Sequence, residues 1–268
     1  MSRSTLQLLL IDPQNDFCDL PGAALPVPGA VAGLKRVAAL IERLGARLDQ
    51  VHVTLDSHQP LHIAHPHWWQ DAAGQPPVPF TQIGADEVAN GRWQTRDPAE
   101  RDRGLAYVRA LEAGGRYRLV IWPEHCLVGG WGHGMQQDVH QALNAWGRTQ
   151  GRLVDFVAKG GNPHTEHYSA LRAEVPDPKD PATTVDAGLI ARLAQAGTLL
   201  VAGEALSHCV ASTLRDLLGF WPASRHQDLV LLTDCSHSVP GFEAQGAAFL
   251  DEMRAAGVRL AASTDELL

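Results

Sequence analysis

The sequence predicts an α/β fold with a mainly parallel, doubly wound sheet and helices on both of its faces. Short apolar runs alternate along the chain with stretches of helical periodicity, the pattern of parallel strands joined by crossover helices. The 268 residues suit one large domain. A composition of 45% hydrophobic and 19% charged residues is that of a globular protein, which excludes disordered and fibrous classes.

Apolar periodicity assigns each element of this fold in order. The first strand is a run of leucine and isoleucine that ends at Asp12-Pro13, and the second ends at Asp56. The runs predicted as strands are 6–11, 51–55, 153–157, 198–202 and 229–232. The stretches predicted as helices, because apolar residues recur in them every three or four positions, are 31–48, 186–196, 210–218 and 242–256.

The stretch 70–118 differs from the rest of the chain. It is polar, rich in Gln, Asp, Arg and Gly, and holds one helix-like segment at 102–111. It is too short to form a core of its own. We therefore expect residues 1–268 to form a single domain, with an insertion or lid over the sheet edge at about 70–118.

Charge and cysteine usage exclude several kinds of partner and compartment. Twenty-two Lys and Arg against 30 Asp and Glu give a net charge of −8, which disfavours nucleic acid and anionic membranes as partners. No apolar run approaches the ~20 residues that span a bilayer. We read no secretory signal. The four cysteines are widely spaced without a C-x-x-C motif, which disfavours a disulfide scaffold and a zinc ribbon and favours the reducing cytoplasm.

Cys209 is the candidate nucleophile because it lies where a predicted strand, after a turn at Gly203, leads into a helix. The positive end of the helix dipole would lower the pKa of its thiol, and backbone N–H groups there could form an oxyanion hole. A buried structural cysteine is the alternative. Asp12 and Lys159 follow other strands, so they should meet Cys209 at the carboxyl edge of a parallel sheet. Asp12 could take the thiol proton, and Lys159 could stabilise the thiolate or keep Asp12 ionised.

A second group of side chains suits a metal ion. Asp56 and His58 follow the second strand two residues apart, so both point to one side of an extended segment. His125, far along the chain, could close a site for zinc, with iron or manganese as the alternatives. His62 and His65 compete as a further ligand, and spacing does not separate them.

Two aromatic residues are candidates for the walls of a site that binds a flat heteroaromatic ring. Phe17 lies close in sequence to the candidate base, and Trp122 lies close to His125. Packing in the core is the alternative for both.

Five motifs in order along the chain resemble the nicotinamidase branch of the isochorismatase-like cysteine hydrolases. They are Ile11-Asp-Pro-Gln-Asn-Asp-Phe-Cys18, Asp56-Ser-His58, Trp122-Pro-Glu-His-Cys126, Lys159-Gly160 with Tyr168-Ser169, and Gly203 through Val210. The resemblance implies a three-layer α/β/α fold of the isochorismatase-like hydrolase type. It also implies Asp12 as base, Lys159 as electrostatic partner and Cys209 as nucleophile.

The same resemblance implies further details of the site. It places a cis peptide between Glu204 and Ala205, and an oxyanion hole formed by the N–H groups of Ala205 and Cys209. The remaining implied residues are the metal ligands Asp56, His58 and His125 and the substrate-binding residues Phe17, Trp122 and Tyr168. A homo-oligomer with a small-molecule amide substrate is expected from the family alone.

The reaction that the resemblance implies is hydrolysis of nicotinamide to nicotinate and ammonia through a thioester on Cys209, a step of NAD salvage. Two alternatives stay open: a cysteine hydrolase of the same fold acting on another amide or carbamoyl compound, and a non-catalytic small-molecule-binding relative. The turn before Cys209 reads Glu204-Ala-Leu-Ser-His, where nicotinamidases usually have an aliphatic residue followed by a Thr-Asp pair. This departure puts the substrate in question but leaves the three reactive residues intact.

Overall fold

A computed structural model describes residues 5–266 of the chain, and its centre is a six-stranded sheet. The strand order is β10-β9-β8-β1-β2-β7, and every neighbouring pair is parallel. These strands are β1 (Leu6–Ile11), β2 (Gln50–Asp56), β7 (Asp155–Lys159), β8 (Thr198–Gly203), β9 (Leu229–Leu232) and β10 (Arg259–Ala261). Two short antiparallel pairs lie outside the sheet: β3 (Trp69–Gln70) with β5 (Gln94–Thr95), and β4 (Gln82–Ile83) with β6 (Leu119–Val120).

Alternation along the strands divides the core into two layers. In β1, Leu8 and Leu10 pack with the buried side chains of one group of helices, while Leu9 and Ile11 pack with those of another. The first group is α1 (Ala30–Leu44) and α4 (Gln137–Gln150). The second is α3 (Arg101–Ala113), α5 (Ala187–Leu193), α6 (Ala211–Phe220) and α7 (Glu243–Ala255). Because successive strand residues point to opposite faces, helices cover both sides of the sheet, and the predicted three-layer arrangement is confirmed.

Element boundaries agree with the sequence where apolar runs end in turn residues and differ elsewhere. β1 and β9 have the predicted bounds, whereas α1 ends at Leu44 because Gly45 adopts a positive φ of 49°. The strand predicted at 153–157 is observed two residues later, as β7. Leu153 is apolar but 87% exposed, beside the edge strand of the sheet. Helix α4 and strand β10 were not predicted.

The segment 70–118 packs on the main core. It contributes helix α2 (Ala85–Ala89) in addition to α3, and the buried side chains of Ile83, Tyr107 and Leu111 belong to the same core as Leu9 of β1. The interpretation of this segment as an insertion or lid in a single domain stays a prediction. Within residues 5–266, no helix combines the length and apolar character needed to cross a membrane.

Candidate active site

The candidate site lies at the carboxyl edge of the sheet, where four neighbouring strands end. The four strands are neighbours in the order β8-β1-β2-β7. β8 leads directly into Glu204 and β1 into Asp12, whereas β2 ends at Asp56 and β7 ends at Lys159. The parallel register pairs Asp56 directly with Lys159. Asp12, with a positive φ of 43°, turns the chain away immediately after β1. Residues far apart in sequence therefore converge because strand order makes their ends neighbours.

Asp12, Lys159 and Cys209 are brought together as the sequence predicted. The Lys159 Nζ atom lies 3.0 Å from Asp12 Oδ2 and 3.6 Å from Cys209 Sγ, and all three residues are buried. Thr54, a residue that the sequence analysis missed, donates a hydrogen bond of 2.5 Å from its hydroxyl to Asp12 Oδ1. Lys159 also donates a hydrogen bond of 3.0 Å to the carbonyl of His167. This contact helps to hold the Lys159 ammonium group next to Asp12 and Cys209.

The electrostatics of Cys209 differ from the expectation. Burial raises the pKa of the Cys209 thiol well above its usual value, and the nearby ammonium of Lys159 only partly opposes this. The direction is therefore opposite to the lowered pKa predicted from the helix N-terminus, because the loss of solvation exceeds the effect of Lys159. Burial also raises the pKa of Asp12, against the effect of Lys159. Lys159 Nζ lies next to both Asp12 Oδ2 and Cys209 Sγ, so the thiol and a carboxylate of increased basicity lie on either side of one ammonium group.

The turn that carries the nucleophile begins at Gly203 and includes the cis peptide between Glu204 and Ala205 that the resemblance implied. Gly203 has a φ of 116°, and a Cβ atom there would overlap the carbonyl of Ile11. One π-helical turn, Leu206–Val210, follows and leads directly into α6. Both Ala205 and Cys209 line the cavity described below, as an oxyanion hole requires, but their role as its donors stays a prediction.

Three buried histidines form a candidate metal centre. One ring nitrogen from each of His58, His65 and His125 lies within 4.8 Å of the others. The Nε2 atom of His65 is buried and has no hydrogen-bond partner within residues 5–266, a state that a bound cation would relieve. His62, by contrast, uses both ring nitrogens: Nε2 lies 3.1 Å from the carbonyl of Thr165, and Nδ1 accepts the N–H of Ala64 at 3.2 Å. Of the two competing histidines, the structure places His65 in the cluster.

Asp56 lies between the histidines and the reactive residues. Its Oδ2 atom is 3.0 Å from His58 Nε2 and 3.5 Å from His125 Nε2, and its Oδ1 atom is 3.1 Å from Lys159 Nζ. Although burial raises it, the pKa of Asp56 is held well below its usual range by His58 and Lys159. Imidazole nitrogens next to an ionised carboxylate fit zinc, iron or manganese. Asp56 lies beside the three-histidine set but is not part of it, so its predicted role as a ligand stays a prediction.

A narrow cavity reaches Cys209, and Asp56 and His125 also line it. The volume of the cavity is about 20 Å³, and the three predicted wall residues Phe17, Trp122 and Tyr168 all line it. The indole N–H of Trp122 donates to the hydroxyl of Tyr168 at 3.0 Å, and the ring of Phe17 lies 5.4 Å from that of His125. The lining residues are Phe17, Leu25, Asp56, Trp122, His125, Glu166, Tyr168, Ala205, His208, Cys209 and Val239.

His208 and Glu166 are the wall residues that the sequence analysis missed. His208 is buried among the rings of Tyr117, Trp122 and Phe242, at centroid distances of 4.7–5.5 Å, and burial lowers its pKa to about 3. It therefore lines the cavity as a neutral imidazole. Its position next to Cys209 was the signal that could have identified it. For Glu166 the corresponding signal is its place two residues before Tyr168.

No protein-family model matches this chain, and no curated protein matches it, but solved structures do. A yeast nicotinamidase bound to the inhibitor nicotinaldehyde superposes with a TM-score of 0.67 at 16% identity, over 96% of this chain and 100% of that chain. An Acinetobacter nicotinamidase/pyrazinamidase has a TM-score of 0.64 at 21% identity, over 99% of both chains. The pyrazinamidase of Pyrococcus horikoshii in complex with zinc has a TM-score of 0.58 at 19% identity, over 96% of this chain and 98% of that chain.

These matches establish the fold over nearly the full length of the chain. The three proteins compared above are nicotinamidases and pyrazinamidases, the group that the five motifs resemble. Identities of 16–21% do not by themselves transfer an activity.

Proposed function

We propose that this protein is an amidohydrolase that uses Cys209 as its nucleophile on a small carboxamide, with nicotinamide as the first candidate substrate. One observation carries the proposal: the buried ammonium group of Lys159 lies within ion-pair distance of the Asp12 carboxylate and hydrogen-bonding distance of the Cys209 thiol, beside a cavity with aromatic walls. Such a constellation supplies a nucleophile, a base and a fixed positive charge in a site that excludes most water.

In the first half of the reaction, Asp12 takes the thiol proton as the sulfur of Cys209 attacks the amide carbon. Lys159 compensates the negative charge while the proton moves. The backbone N–H groups of Ala205 and Cys209 are the proposed donors to the oxyanion that forms. When the C–N bond breaks, Asp12 returns the proton to the leaving nitrogen, so ammonia departs and a thioester to Cys209 remains.

In the second half, water hydrolyses the thioester. Asp12 takes a proton from the attacking water, and the same two N–H groups hold the second oxyanion. Breaking the C–S bond returns the proton to the Cys209 sulfur and releases the carboxylic acid. The raised pKa of Asp12 suits a group that must both accept and donate a proton in one cycle.

The metal centre would orient the substrate. His58, His65 and His125, with Asp56 adjacent, fit a divalent cation, and the Pyrococcus horikoshii structure is a zinc complex. Such a cation would supply a Lewis-acid contact for a ring nitrogen of the substrate. We propose zinc, with iron or manganese as alternatives. Phe17, Trp122 and Tyr168 would hold the ring between them, which agrees with a yeast neighbour that binds nicotinaldehyde.

A different amide or carbamoyl compound is the second candidate substrate. The observation that favours it is the wall formed by His208 and Glu166, which presents an imidazole and a carboxyl group to a cavity whose other walls are largely aromatic and aliphatic. A ligand with additional polar groups could use these contacts. The reaction and its nucleophile would be unchanged.

Ammonia release from nicotinamide by the purified protein tests the proposal. The Cys209→Ala variant should release none above the uncatalysed rate, because no other group in the mechanism can form the thioester. Cys235→Ala is the matched control, since Cys235 is also a buried free cysteine but does not line the cavity. Turnover retained in Cys209→Ala would contradict the mechanism. Wild-type inactivity on nicotinamide, with activity on a carbamoyl compound, would select the second substrate.

A further inference from the structure

Glu204 is a buried carboxylate that the mechanism above does not use. It precedes Ala205 across the cis peptide, and it is fully shielded from solvent. Both of its oxygens contact one residue, His237: Oε2 accepts the backbone N–H at 2.8 Å, and Oε1 lies 3.0 Å from the ring Nδ1. A buried charge is tolerated when it is paired and hydrogen-bonded in this way.

The chain around His237 also contacts the far side of Ala205. Its carbonyl accepts the N–H of Leu206 at 2.7 Å, and the N–H of Val239 donates to the Ser207 hydroxyl at 3.1 Å. Ala205 is thus flanked by residues that are each hydrogen-bonded to the segment 237–239. We call these contacts the Glu204–His237 clasp.

Helix α1 and the turn before it hold the His237 ring in place. A Cβ atom at Gly33 would lie 2.6 Å from His237 Cε1, and one at Gly29 would lie 2.8 Å from its Cδ2 atom. Only glycine fits at these positions while the ring stays where it is. The ring therefore cannot move toward α1, and the carboxylate of Glu204 occupies its other side.

We propose that Glu204 and His237 are positioning residues that fix the amide of Ala205 for oxyanion binding. This inference rests on the proposed function, because the position of the Ala205 amide affects the reaction only if that amide contacts the reacting carbonyl of the substrate. An ionised Glu204 accepts from both donors of His237, the backbone N–H and Nδ1–H, whether the imidazole is neutral or protonated. The clasp thus keeps its shape wherever Glu204 is ionised.

The charges around the pair agree with this role. Burial raises the pKa of Glu204 to about 7 despite the opposing effect of His237, and the hydrogen bond with Glu204 raises the pKa of His237. Asp19 and Cys18 face the pair from the loop before α1, and Arg36 faces it from that helix. An ionised Glu204 and a protonated His237 thus stabilise each other's charge across this contact.

Replacing Glu204 by glutamine gives a pH-dependent test. A glutamine has one acceptor and one donor, so it can satisfy the backbone N–H together with a neutral Nδ1 that carries no proton. It cannot satisfy two donors once His237 is protonated. The ratio of kcat for Glu204→Gln to wild type should be near one at pH 8. It should fall at least about tenfold where His237 of the variant is protonated and Glu204 of the wild type is still ionised, since loss of one oxyanion donor lowers kcat by about 10²–10³.

Two further variants complete the experiment. Glu204→Ala should lower kcat at every pH, with KM changed less than about twofold. Asp155→Asn is the matched control, because Asp155 pairs with the buried His52 at 2.7 Å near the opposite edge of the sheet. Its kcat ratio should stay constant with pH. A Glu204→Gln ratio that is also constant would overturn the proposal, since a purely structural role would lower stability without a pH-dependent kcat.

A readout independent of turnover separates this inference from the proposed function. The amide NMR resonance of Ala205 should shift with pH in Glu204→Gln, following the titration of His237, and should not do so in Asp155→Asn. If the wild type hydrolyses no amide but Ala205 responds in this way, the activity is wrong and the clasp stands. If the enzyme is active but the Ala205 resonance does not respond, the clasp is overturned.

Discussion

Replacing Lys159 by methionine should destabilise the protein strongly, because its ammonium group is the buried cation between two buried carboxylates. Nζ lies 3.0 Å from Asp12 Oδ2 and 3.1 Å from Asp56 Oδ1, and the side chain is 1% exposed. Removing one partner of a buried ion pair typically costs about 3–5 kcal/mol. For a chain of this size about 2 °C per kcal/mol applies, so the melting temperature at pH 7 should fall by about 6–10 °C.

The loss of stability in Lys159→Met should depend on pH, and the pKa of Asp12 determines the direction of that dependence. Burial already raises the pKa of Asp12, and without Lys159 it should rise further. A carboxyl group whose folded pKa lies above its unfolded value stabilises the fold below the unfolded pKa, and this contribution is lost as pH rises toward the folded pKa. Lys159→Met should therefore lose less stability at pH 5 than at pH 7, by up to about 1.4 kcal/mol per pH unit.

Urea unfolding of wild type and variant at the two pH values measures both quantities. Lys35→Met is the matched control, since Lys35 is exposed on α1 and its replacement should change the free energy of unfolding by less than about 0.5 kcal/mol. A loss for Lys159→Met below about 1 kcal/mol at pH 7 would refute the reasoning. So would an equal loss at both pH values, because Asp12 would then not respond to the missing charge.

Two further comparisons test the metal centre and the turn before the nucleophile. His65→Ala should lower the bound zinc measured by elemental analysis at least about tenfold. His62→Ala should retain the zinc, because both ring nitrogens of His62 already contact backbone groups. Equal zinc content in the two variants would remove His65 from the site. Gly203→Ala should reduce stability in thermal unfolding by at least about 3 kcal/mol, since it adds a clash with the Ile11 backbone to an unfavourable φ. Gly22→Ala, with a similar positive φ and open space around it, should lose only about 1 kcal/mol, and equal losses would show that the clash is relieved.

Local patterns were sufficient where an element is bounded by residues that strongly favour a turn. The run 6–11 ends in Asp-Pro and was predicted with its observed bounds. Helix α4 was not predicted, although its buried residues Val139, Ala142, Leu143 and Trp146 recur every three or four positions along a largely polar stretch. The strand near 153 was displaced because hydrophobicity alone cannot show that Leu153 lies exposed beside an edge strand.

For the site, the sequence identified the three candidate reactive residues and the three residues that line the cavity wall, because each follows a predicted strand or lies in a motif of the resembled family. It did not choose between His62 and His65, three positions apart in one loop. That choice depends on which rings find backbone partners, and those partners come from distant parts of the chain such as Thr165. The role of Glu204 was equally hidden, because His237 lies on a different loop.

The sequence by itself thus determined the fold class and the set of chemically reactive side chains at the strand ends, since periodicity and turn residues are local properties. Only the tertiary structure decided which of those side chains touch, and in which direction burial and neighbouring charges shift their pKa values. Cys209 shows the reason most clearly. The sequence predicts the helix terminus next to Cys209, but it does not predict that the thiol is buried. Loss of solvation depends on every neighbour that packs around the thiol, and here it exceeds the opposing effect of Lys159.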